Sequence, residues 1–307
     1  MLEQVLIICY NFTMNIEKWI KENTFSLINK TVAITGSTGG LGVEICHRLA
    51  SLGANFIFIN RNLEKTNNLK HQLENQYQNI KIDVIHADLS NFASTQCAVE
   101  ILKQKTIHFL ILNAGIYAVP KVKTAINYNN IFTTNFVSHY YMVKQLLPNL
   151  KTTKGHVVCV GSIAHNYDKM DTNDVDFSTR QKHSKVYGNS KRFLMFSLME
   201  LFKNETDATL SIVHPGVTLT KMTSHYPKLI NWLVKLAIKL FFPAPQKASL
   251  SIISAIFNST GYHEWIGPPI LQVYGKPKKS KLKTCSAVES GKIFEIAESI
   301  YNETVTK

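Results

Sequence analysis

Residues 31–42 read TVAITGSTGGLG, a β-rich run that passes directly into a glycine-rich turn. A helical pattern, Leu41–Leu52, follows at once. A strand, a glycine-rich turn and a helix in this order are typical of a nucleotide-binding α/β unit. In such a unit Gly36 allows the tight turn, Gly40 lets backbone N–H groups approach a pyrophosphate, and Gly42 lets the helix pack closely on the sheet. A turn without a ligand is the alternative, but four glycines in seven residues cost more backbone entropy than a plain turn requires.

Short apolar runs alternate with helix-length segments along most of the remaining chain. Continuous apolar runs indicate parallel strands that are buried on both faces. Their alternation with helices predicts an α/β fold, a Rossmann-like doubly wound parallel sheet with strand order 3-2-1-4-5-6-7 and flanking helices. The predicted strands are Thr31–Thr35, Phe56–Asn60, Ile82–His86, Phe109–Leu112, His156–Val160, Leu210–His214 and a last strand near Ile270–Tyr274. The predicted helices are Leu41–Leu52, Leu63–Tyr77, Phe92–Gln104, Ile126–Leu147, Val186–Phe202 and Lys247–Phe257.

Neither an internal repeat nor a long linker divides the sequence, so residues 30–307 are predicted to form one domain. Residues 1–29 are predicted to be an N-terminal extension and a lead-in helix, with Met14 a more natural start than Met1. Trp265–Pro269 is predicted to be a turn. Residues 276–283 hold five lysines in eight positions and are predicted to form a solvated loop of a basic C-terminal segment.

The composition restricts the class of protein. The 307 residues are 45% hydrophobic and 18% charged, which is typical of a globular chain with a sizeable core and excludes disorder for most of it. A net charge of +13 indicates an anionic partner. Only four of the 34 basic residues are Arg, which argues against nucleic-acid binding because Arg makes most specific guanine contacts.

The five cysteines are scattered without a Cys-x-x-Cys pair, so we expect neither a disulfide framework nor a metal site. We expect a cytoplasmic protein, because the sequence has no membrane-spanning apolar run and no signal-peptide charge pattern.

The end of the second predicted strand indicates which dinucleotide would bind. An acidic residue there would bind the ribose 2′-hydroxyl of NAD, whereas this chain has the neutral Asn60 followed by the cationic Arg61. This pair suits a 2′-phosphate, so NADP(H) is the preferred cofactor and NAD(H) the alternative. The other interpretation of Arg61 is a surface residue of the turn.

Several short motifs, taken together, resemble those of the classical short-chain dehydrogenases/reductases. The resemblance covers roughly residues 30–220 and implies a hydride-transferring enzyme that uses a nicotinamide cofactor. The matching stretches are Thr35–Gly42 (TGxxxGxG), Asn113–Gly115 (NAG), Ser162 after the fifth strand, Tyr187–Lys191 (YxxSK), and His214–Gly216 with Thr220 four residues later.

The spacing Tyr-x-x-x-Lys alone proves little in a lysine-rich chain, because it occurs five times. Only Tyr187 lies downstream of the strand that ends near Ser162 and begins a helix, where Tyr187 and Lys191 would share a face. The other pairs, predicted to be surface or core pairs, are Tyr77/Lys81, Tyr117/Lys121, Tyr140/Lys144 and Tyr274/Lys278.

The chemistry of carbonyl reduction explains the types of these residues. A tyrosine with a pKa near ~10 exchanges protons poorly at neutral pH, so we expect the ammonium of Lys191 to lower the pKa of Tyr187, the general acid/base. Ser162 would hydrogen-bond the substrate oxygen and stabilise developing charge. The resemblance implies that Lys191 also holds the nicotinamide ribose and that Asn135 keeps a proton-relay water near the lysine.

Motifs and resemblance together imply a set of cofactor-binding residues. Asp88 would contact adenine, with a helix N-terminal cap as the equal alternative. Asn113 and Gly115 would line the ribose and nicotinamide, and Thr220 would meet the carboxamide. The full set is Thr35, Gly36, Ser37, Thr38, Gly40, Leu41, Gly42, Asn60, Arg61, Asp88, Leu89, Asn113, Ala114, Gly115, Tyr187, Lys191, Pro215, Gly216, Val217 and Thr220.

Tyr187 follows Ser162 by 25 positions, which is long for the family and resembles the retinol-dehydrogenase-like and WW-domain-oxidoreductase-like branch. The stretch Ile163–His165 after the serine and the bulky C-terminal segment also resemble this branch. The stretch between Ser162 and Tyr187 is predicted to be a solvated loop at the mouth of the site. Its acidic residues are Asp168, Asp171, Asp174 and Asp176.

Pro227–Phe242 is predicted to be a helix with a wide apolar face and a narrow polar stripe. The resemblance implies that this region, near residues 221–245, is a helical lid over the substrate. Such a lid suggests a small lipophilic carbonyl or alcohol. The alternative is a helix in a membrane interface, which would make the protein membrane-peripheral. The resemblance implies homo-oligomers through Ile126–Leu147 and Val186–Phe202, with a monomer as the alternative if the C-terminal segment is membrane-like. The alternative function is a non-catalytic dinucleotide-binding sensor or scaffold.

Overall fold

A computed structural model describes residues 15–216 and 244–306 of the chain. Within them, eight strands form one sheet in the order β3-β2-β1-β4-β5-β6-β7-β8. The first seven strands are parallel, and β8 runs antiparallel to β7. The strands are β1 (Thr31–Thr35), β2 (Asn55–Asn60), β3 (Ile82–His86), β4 (Phe109–Leu112), β5 (His156–Val160), β6 (Thr209–Val213), β7 (Glu264–Gly267) and β8 (Lys278–Lys281).

Helices cover both faces of this sheet. Two shorter helical segments matter for the site: a π-helical turn, Thr133–Val137, runs directly into α5, and a 3₁₀ turn, Ile163–Asn166, follows β5. The longer helices are α1 (Ile16–Asn23), α2 (Gly40–Ala50), α3 (Leu63–Gln76), α4 (Phe92–Leu102), α5 (Ser138–Thr152), α6 (His183–Leu201), α7 (Pro245–Phe257) and α8 (Ala287–Val305).

Alternate residues of the strands pack into two apolar clusters on opposite faces of the sheet. In β1, Val32 and Ile34 join the cluster formed with α1, α2, α3 and α7, whereas Ala33 joins the cluster formed with α4, α5, α6 and α8. Burial on both faces explains why these strands are continuously apolar in the sequence.

The strand order creates a switch point between β1 and β4. From β1 the chain builds β2 and β3 on one side, then crosses over to β4 on the other side. Doubly wound sheets bind ligands beyond the carboxyl ends of the strands at such a point. The glycine-rich turn follows β1 and Asn113 follows β4, so both segments lie at this edge.

The first six predicted strands are confirmed to within one residue. The predicted last strand, Ile270–Tyr274, is wrong, and β7 instead lies in the segment predicted to be a turn. Leu271 and Gln272 have φ angles of 51° and 56°, a left-handed backbone that reverses the chain and is incompatible with a strand.

The lysine-rich segment is also more ordered than predicted. Residues 276–283 contain β8, which pairs with β7 through Trp265 and Ser280, and Lys281 forms an ion pair with Glu264 at 3.0 Å. The side chains of β8 are exposed as expected, but the predicted loop is an edge strand. Charged side chains on an edge strand disfavour pairing with another chain.

The predicted helix Ile126–Leu147 is wrong at both ends. Helical structure begins at Asn130, because Asn127 has a φ of 70° and Asn129 accepts a hydrogen bond from the N–H of Phe132 at 2.9 Å. It then continues past Pro148 to the end of α5. Residues 1–14 lie outside the described residues, and so do residues 217–243, which include most of the predicted lid near residues 221–245.

Candidate active site

The glycine-rich turn has the geometry that its three functional glycines predict. Gly36 has a φ of +69°, and a Cβ there would lie 2.9 Å from the Cα of Ala114. A Cβ on Gly42 would lie 2.3 Å from the carbonyl oxygen of Gly36, so α2 packs against the turn at the closest distance that the backbone allows. A Cβ on Gly40 would meet no atom within 4 Å. The first turn of α2 therefore presents open space at its N-terminus, where a phosphate group is favoured.

Two polar side chains join the ends of β1 and β4. The hydroxyl oxygen of Thr35 accepts hydrogen bonds from the N–H groups of Asn113 and Ala114, at 3.1 and 3.0 Å. In return, the Asn113 amide donates to the carbonyl oxygens of Thr35 and Gly36, at 3.1 and 3.0 Å. These side chains, which the sequence assigns to the cofactor, have partners within the protein and hold the crevice in shape.

The far end of the crevice carries the residues predicted to select the dinucleotide. The Asn60 amide donates to the Ser37 hydroxyl at 2.6 Å, while its Oδ1 is buried without a hydrogen-bond partner among the described residues. The guanidinium of Arg61, whose side chain is 70% exposed, lies 3.8 Å from Asp88. A buried acceptor without a partner is costly, and a ligand hydroxyl would satisfy it. This end of the site therefore fits a ribose.

Asp88 also makes the local contacts of the alternative interpretation. Its Oδ1 accepts hydrogen bonds from the N–H and hydroxyl of Ser90, at 3.0 and 2.7 Å, although the N-cap of α4 is Asn91. Leu41 and Leu89, both assigned to the cofactor by the sequence, have buried side chains that pack into the two apolar clusters.

Helix α6 carries Tyr187 and Lys191 on one face, as predicted. The Lys191 Nζ lies 5.9 Å from the centre of the Tyr187 ring and donates a hydrogen bond to the carbonyl oxygen of Val160 at 2.8 Å. Ser162 begins the turn after β5 and hydrogen-bonds Tyr187. A Cβ on Gly115 would lie 3.7 Å from the Lys191 Nζ, so the absence of a side chain there leaves room beside the amine.

The electrostatics of this pair differ from the expectation. Burial raises the pKa of Tyr187 to about 12, and the hydrogen bond with Ser162 opposes this rise. Burial also lowers the pKa of Lys191 to about 8, so its positive charge is weakened above that pH. The expected lowering of the Tyr187 pKa by Lys191 is not found in this structure, because desolvation of the phenolate dominates.

Asn135 lies in the π-helical turn, a distortion that is frequent at functional sites. Its carboxamide hydrogen-bonds Ile116, which follows Gly115, and Ser190 in α6. The Nδ2 atom donates to the carbonyl oxygen of Ile116 and to the Ser190 hydroxyl, both at 3.0 Å, and Oδ1 accepts from the Ile116 N–H at 2.8 Å. Asn135 therefore fixes the backbone that carries Gly115 next to Lys191.

Two residues that the sequence analysis did not single out belong to this site. The buried His139 bridges the Thr35 hydroxyl, at 3.0 Å from Nε2, and the Asn135 carbonyl oxygen, at 3.2 Å from Nδ1. The Tyr117 ring meets that of Tyr187 edge-on, with centroids 5.3 Å apart. Two features of the sequence could have predicted these residues. His139 follows Asn135 by four positions, which places both on one helix face, and Tyr117 follows the NAG motif by two positions.

One rejected Tyr-x-x-x-Lys pair shows what such a pair does elsewhere in the fold. Tyr140 and Lys144 both bind the carboxylate of Glu298 in α8, at 2.5 and 2.8 Å. This contact joins two helices, as expected for a structural pair. Tyr117 is the exception among the rejected tyrosines, since it lies against Tyr187.

The remaining predicted site residues lie partly outside the described structure. Gly216 has a φ of +85° and is backed by Pro268 and the Val273 carbonyl, whereas Val217 and Thr220 are outside the described residues. In the acidic stretch, Asp168 and Asp171 pair with Lys185 and Arg180 at 2.8 and 2.7 Å.

Asp176 contradicts the prediction of a solvated loop at this stretch. It is 8% exposed and accepts hydrogen bonds from the N–H of Asn129 and the hydroxyl of Ser178. The carboxylate therefore anchors the loop to the start of the helical segment at Asn130. Within residues 15–216 and 244–306, no cluster of His, Cys, Asp or Glu could hold a metal ion.

Comparison with known proteins is consistent with this geometry. A family model described as short chain dehydrogenase matches residues 30–229. The chain is 29% identical to human polyprenol dehydrogenase over 242 residues, 74% of this chain and 72% of that protein. It is 31% identical to human retinol dehydrogenase 12 over 222 residues, 71% of this chain and 69% of that protein.

Solved structures show the same fold at low sequence identity. A crystal structure of a putative uncharacterized protein from Mycobacterium paratuberculosis matches with a TM-score of 0.71 and 21% identity, covering 92% of this chain and 96% of that one. A short-chain dehydrogenase from Sphingobium yanoikuyae in complex with NADPH matches with a TM-score of 0.57 and 19% identity, covering 74% and 84%.

Proposed function

The chain belongs to the short chain dehydrogenase family and is an oxidoreductase of the retinol-dehydrogenase-like branch, and from that premise we propose that it interconverts a lipophilic carbonyl and an alcohol with NADP(H). The observation that carries the proposal is the cluster at the carboxyl edge of the sheet. Tyr187 is hydrogen-bonded to Ser162, and Lys191 lies between Tyr187 and the open backbone at Gly115.

Each residue of this cluster has a role in the proposed reaction. A bound nicotinamide supplies or accepts the hydride at the substrate carbon. Ser162 hydrogen-bonds the substrate oxygen, and Tyr187 donates its phenolic proton to that oxygen in reduction or takes the proton back in oxidation. Lys191, held by Val160, binds the cofactor ribose beside Gly115. Asn135 keeps the Gly115 backbone in place through Ile116.

The glycine-rich turn would hold the pyrophosphate. The open position at Gly40 lets the N–H groups of the first turn of α2 face the phosphates, and the helix N-terminus adds a partial positive charge. Gly36 and Gly42 have no such freedom, because neighbouring backbone fills the space that their side chains would need.

We infer a preference for NADP(H) over NAD(H), which Asn60 and Arg61 support. Asn60 is neutral, so it does not repel a 2′-phosphate, and Arg61 is exposed with a weak 3.8 Å contact to Asp88 that the phosphate can replace. Arg61→Ala should raise the KM for NADPH roughly 10-fold or more and leave the KM for NADH unchanged. Arg48→Ala, which removes the same charge outside the site, is the control, and an equal effect on both cofactors would contradict the preference.

A lipophilic substrate is supported by the surroundings of Tyr187 and by the relatives. The rings of Tyr117 and Tyr167 neighbour Tyr187, and the sequence after Tyr226 is strongly apolar. The curated relatives are named for polyprenol and retinol, two apolar alcohols. We place aldehydes and ketones with long apolar groups first among the candidates.

Two features of the described residues bear on the proposed cellular setting. None of the described helices is long and apolar enough to cross a membrane. The exposed lysines of β8 would suit a peripheral contact with anionic lipid, as an addition to a cytoplasmic location. The predicted oligomer interface on α5 and α6 is occupied in part by α8, so we propose a monomer.

Turnover tests this proposal directly. NADPH and NADH consumption is measured with decanal, all-trans-retinal and cyclohexanone, for the wild type, Tyr187→Phe and the control Tyr140→Phe. We expect turnover with NADPH that falls roughly 10²–10⁴-fold in Tyr187→Phe and persists in Tyr140→Phe. NADPH binding without turnover of any carbonyl would contradict the proposal and favour the non-catalytic sensor.

A further inference from the structure

The turn after Ser162 is held by residues from the C-terminal part of the chain. His165 in this turn bonds the Ser162 carbonyl oxygen through Nδ1 at 2.6 Å, and its Nε2 lies 2.5 Å from the Thr284 hydroxyl. Thr284 lies three residues before the start of α8 and is 119 positions from His165 along the chain. Ser162 is thus connected through one imidazole to the C-terminal segment.

The direction of these hydrogen bonds is determined by the groups involved. Burial lowers the pKa of His165 to about 4, so the ring is neutral at physiological pH. A carbonyl oxygen only accepts, so the proton of the neutral ring is on Nδ1 and is donated to Ser162. Nε2 must then accept from the hydroxyl of Thr284. Loss of that hydroxyl would leave a buried acceptor without its partner.

Arg192, the residue after Lys191, holds both ends of this connection. Its Nη1 donates to the carbonyl oxygen of His165 at 2.9 Å, and its Nη2 donates to the carbonyl oxygen of Thr284 at 3.1 Å. The same guanidinium binds the Glu289 carboxylate at 2.9 and 2.5 Å. Arg192 is 3% exposed, so these protein groups replace water as the hydrogen-bond partners of its guanidinium. Neither hydride nor proton transfer uses it.

Tyr187 is fixed against the same turn from the other side. A Cβ on Gly188 would lie 2.1 Å from the carbonyl oxygen of Ala164, so α6 packs directly on the turn next to Tyr187. The Ser162 hydroxyl also accepts a hydrogen bond from the Ala164 N–H at 3.2 Å. A shift of the turn therefore changes the position of Ser162 relative to Tyr187. The hydrogen bond between Ser162 and Tyr187 is the contact that lowers the Tyr187 pKa.

We propose that Thr284 and His165 are positioning residues of the active site, through which the C-terminal segment 284–289 sets the Ser162–Tyr187 hydrogen bond. The expected kinetic effects rest on the proposed function, whereas the contact between His165 and Thr284 does not depend on that function. The segment lies outside residues 30–229, the part of the chain that the family model matches.

The test compares Thr284→Val, which removes the hydroxyl at nearly constant volume, with Thr284→Ser, which keeps it. Thr304→Val is the matched control, because Thr304 is buried in α8 and bonds the carbonyl oxygen of Tyr301. Hydrogen exchange of the amides of residues 162–167 is followed in the full chain, together with kcat and KM for NADPH between pH 6 and 10 with the best carbonyl substrate and its alcohol.

We expect faster exchange at residues 162–167 in Thr284→Val, with wild-type exchange in Thr284→Ser and Thr304→Val. The kcat of Thr284→Val should fall roughly 10- to 100-fold with an unchanged KM for NADPH, because only the reacting groups are misplaced. Its rate of alcohol oxidation should fall below that of the wild type at every pH in this range, since a weaker Ser162 contact raises the pKa of Tyr187 further and leaves less phenolate.

Wild-type exchange at residues 162–167 in Thr284→Val would overturn the inference whether or not the protein turns over a substrate. Turnover by the wild type with unchanged kcat and pH profile in Thr284→Val would also overturn it. Absence of turnover in the wild type would contradict the proposed function alone, and the exchange measurement would still decide whether Thr284 holds the turn.

Discussion

The Lys191 Nζ donates a hydrogen bond to the carbonyl oxygen of Val160, the last residue of β5, at 2.8 Å. This contact fixes the amine to the strand that leads into Ser162, with the Tyr187 ring centre 5.9 Å away. The pKa of Tyr187 is consequently set by burial and by its bond with Ser162. A phenol in this state is protonated at neutral pH, so it is ready to donate a proton.

The raised pKa of Tyr187 gives the two directions of the reaction opposite pH dependence. Reduction needs the protonated phenol and should stay constant from pH 6 to about 8, where Lys191 begins to lose its charge, whereas oxidation needs the phenolate and should rise throughout this range. Ser162→Ala should lower the oxidation rate at every pH in this range, because it removes the bond that lowers the pKa of Tyr187 and so leaves less phenolate. Initial rates in both directions check this. An oxidation rate that levels off below pH 8 would show a pKa of Tyr187 well below its value in this structure.

The glycine-rich turn allows a substitution that separates cofactor binding from folding. Gly40→Asp places a carboxylate in open space at the start of α2, where a negative charge stabilises the helix but repels a pyrophosphate. We expect unchanged or higher stability towards urea and NADPH binding weakened at least about 10-fold, measured by cofactor fluorescence. Gly291→Asp, also without neighbours within 4 Å but located in α8, should bind NADPH normally. Normal binding by Gly40→Asp would mean that the phosphates lie elsewhere.

The parts of the site that the sequence predicts are those encoded locally. Gly36 and Gly42 serve one turn, and Tyr187 and Lys191 share one helix face, so spacing alone brings each pair together. The Tyr187 pKa was not predictable, because it depends on how many distant segments bury the ring. His165 belongs to the stretch after Ser162 that resembles the branch, but its partner Thr284 could not be predicted from a motif, since their contact arises only when α8 packs on α6. The turn at Leu271 and Gln272 was missed because neither residue type signals a left-handed backbone.

Four histidines that are buried in the described part of the chain predict a loss of stability in mild acid. Burial lowers the pKa of His139 to about 3 and those of His156, His165 and His214 to about 4, so the folded chain keeps them neutral. In the unfolded chain they take up protons below about pH 6.5, so their contribution to stability is complete above that pH and is lost as the pH falls towards 4.

The free energy of unfolding should accordingly fall by about 1 kcal/mol for each histidine, a few kcal/mol together, between pH 7.5 and 5.5. Urea unfolding at the two pH values measures this difference. His156 lies at the start of β5, away from the site. His156→Gln should reduce the difference in the free energy of unfolding between the two pH values by about 1 kcal/mol. Equal stability of the wild type at both pH values would contradict the neutral, buried state of these rings.

The C-terminal helix α8 covers the surface of α5 and α6 through which the family resemblance implies oligomers. Glu298 binds Tyr140 and Lys144, Tyr301 binds Gln145, and Ile293, Ala297 and Ile300 are buried in the same apolar cluster as both helices. A second copy would have to displace these contacts, so we expect a monomer of 34.7 kDa in light scattering after size exclusion.

Ala297→Arg places a charge at a fully buried position, so it should loosen α8, expose the apolar face and cause self-association. Val288→Arg, at the exposed start of α8, should leave the monomer intact. A wild-type particle of twice this mass that Ala297→Arg leaves unchanged would show that the chain associates through another surface.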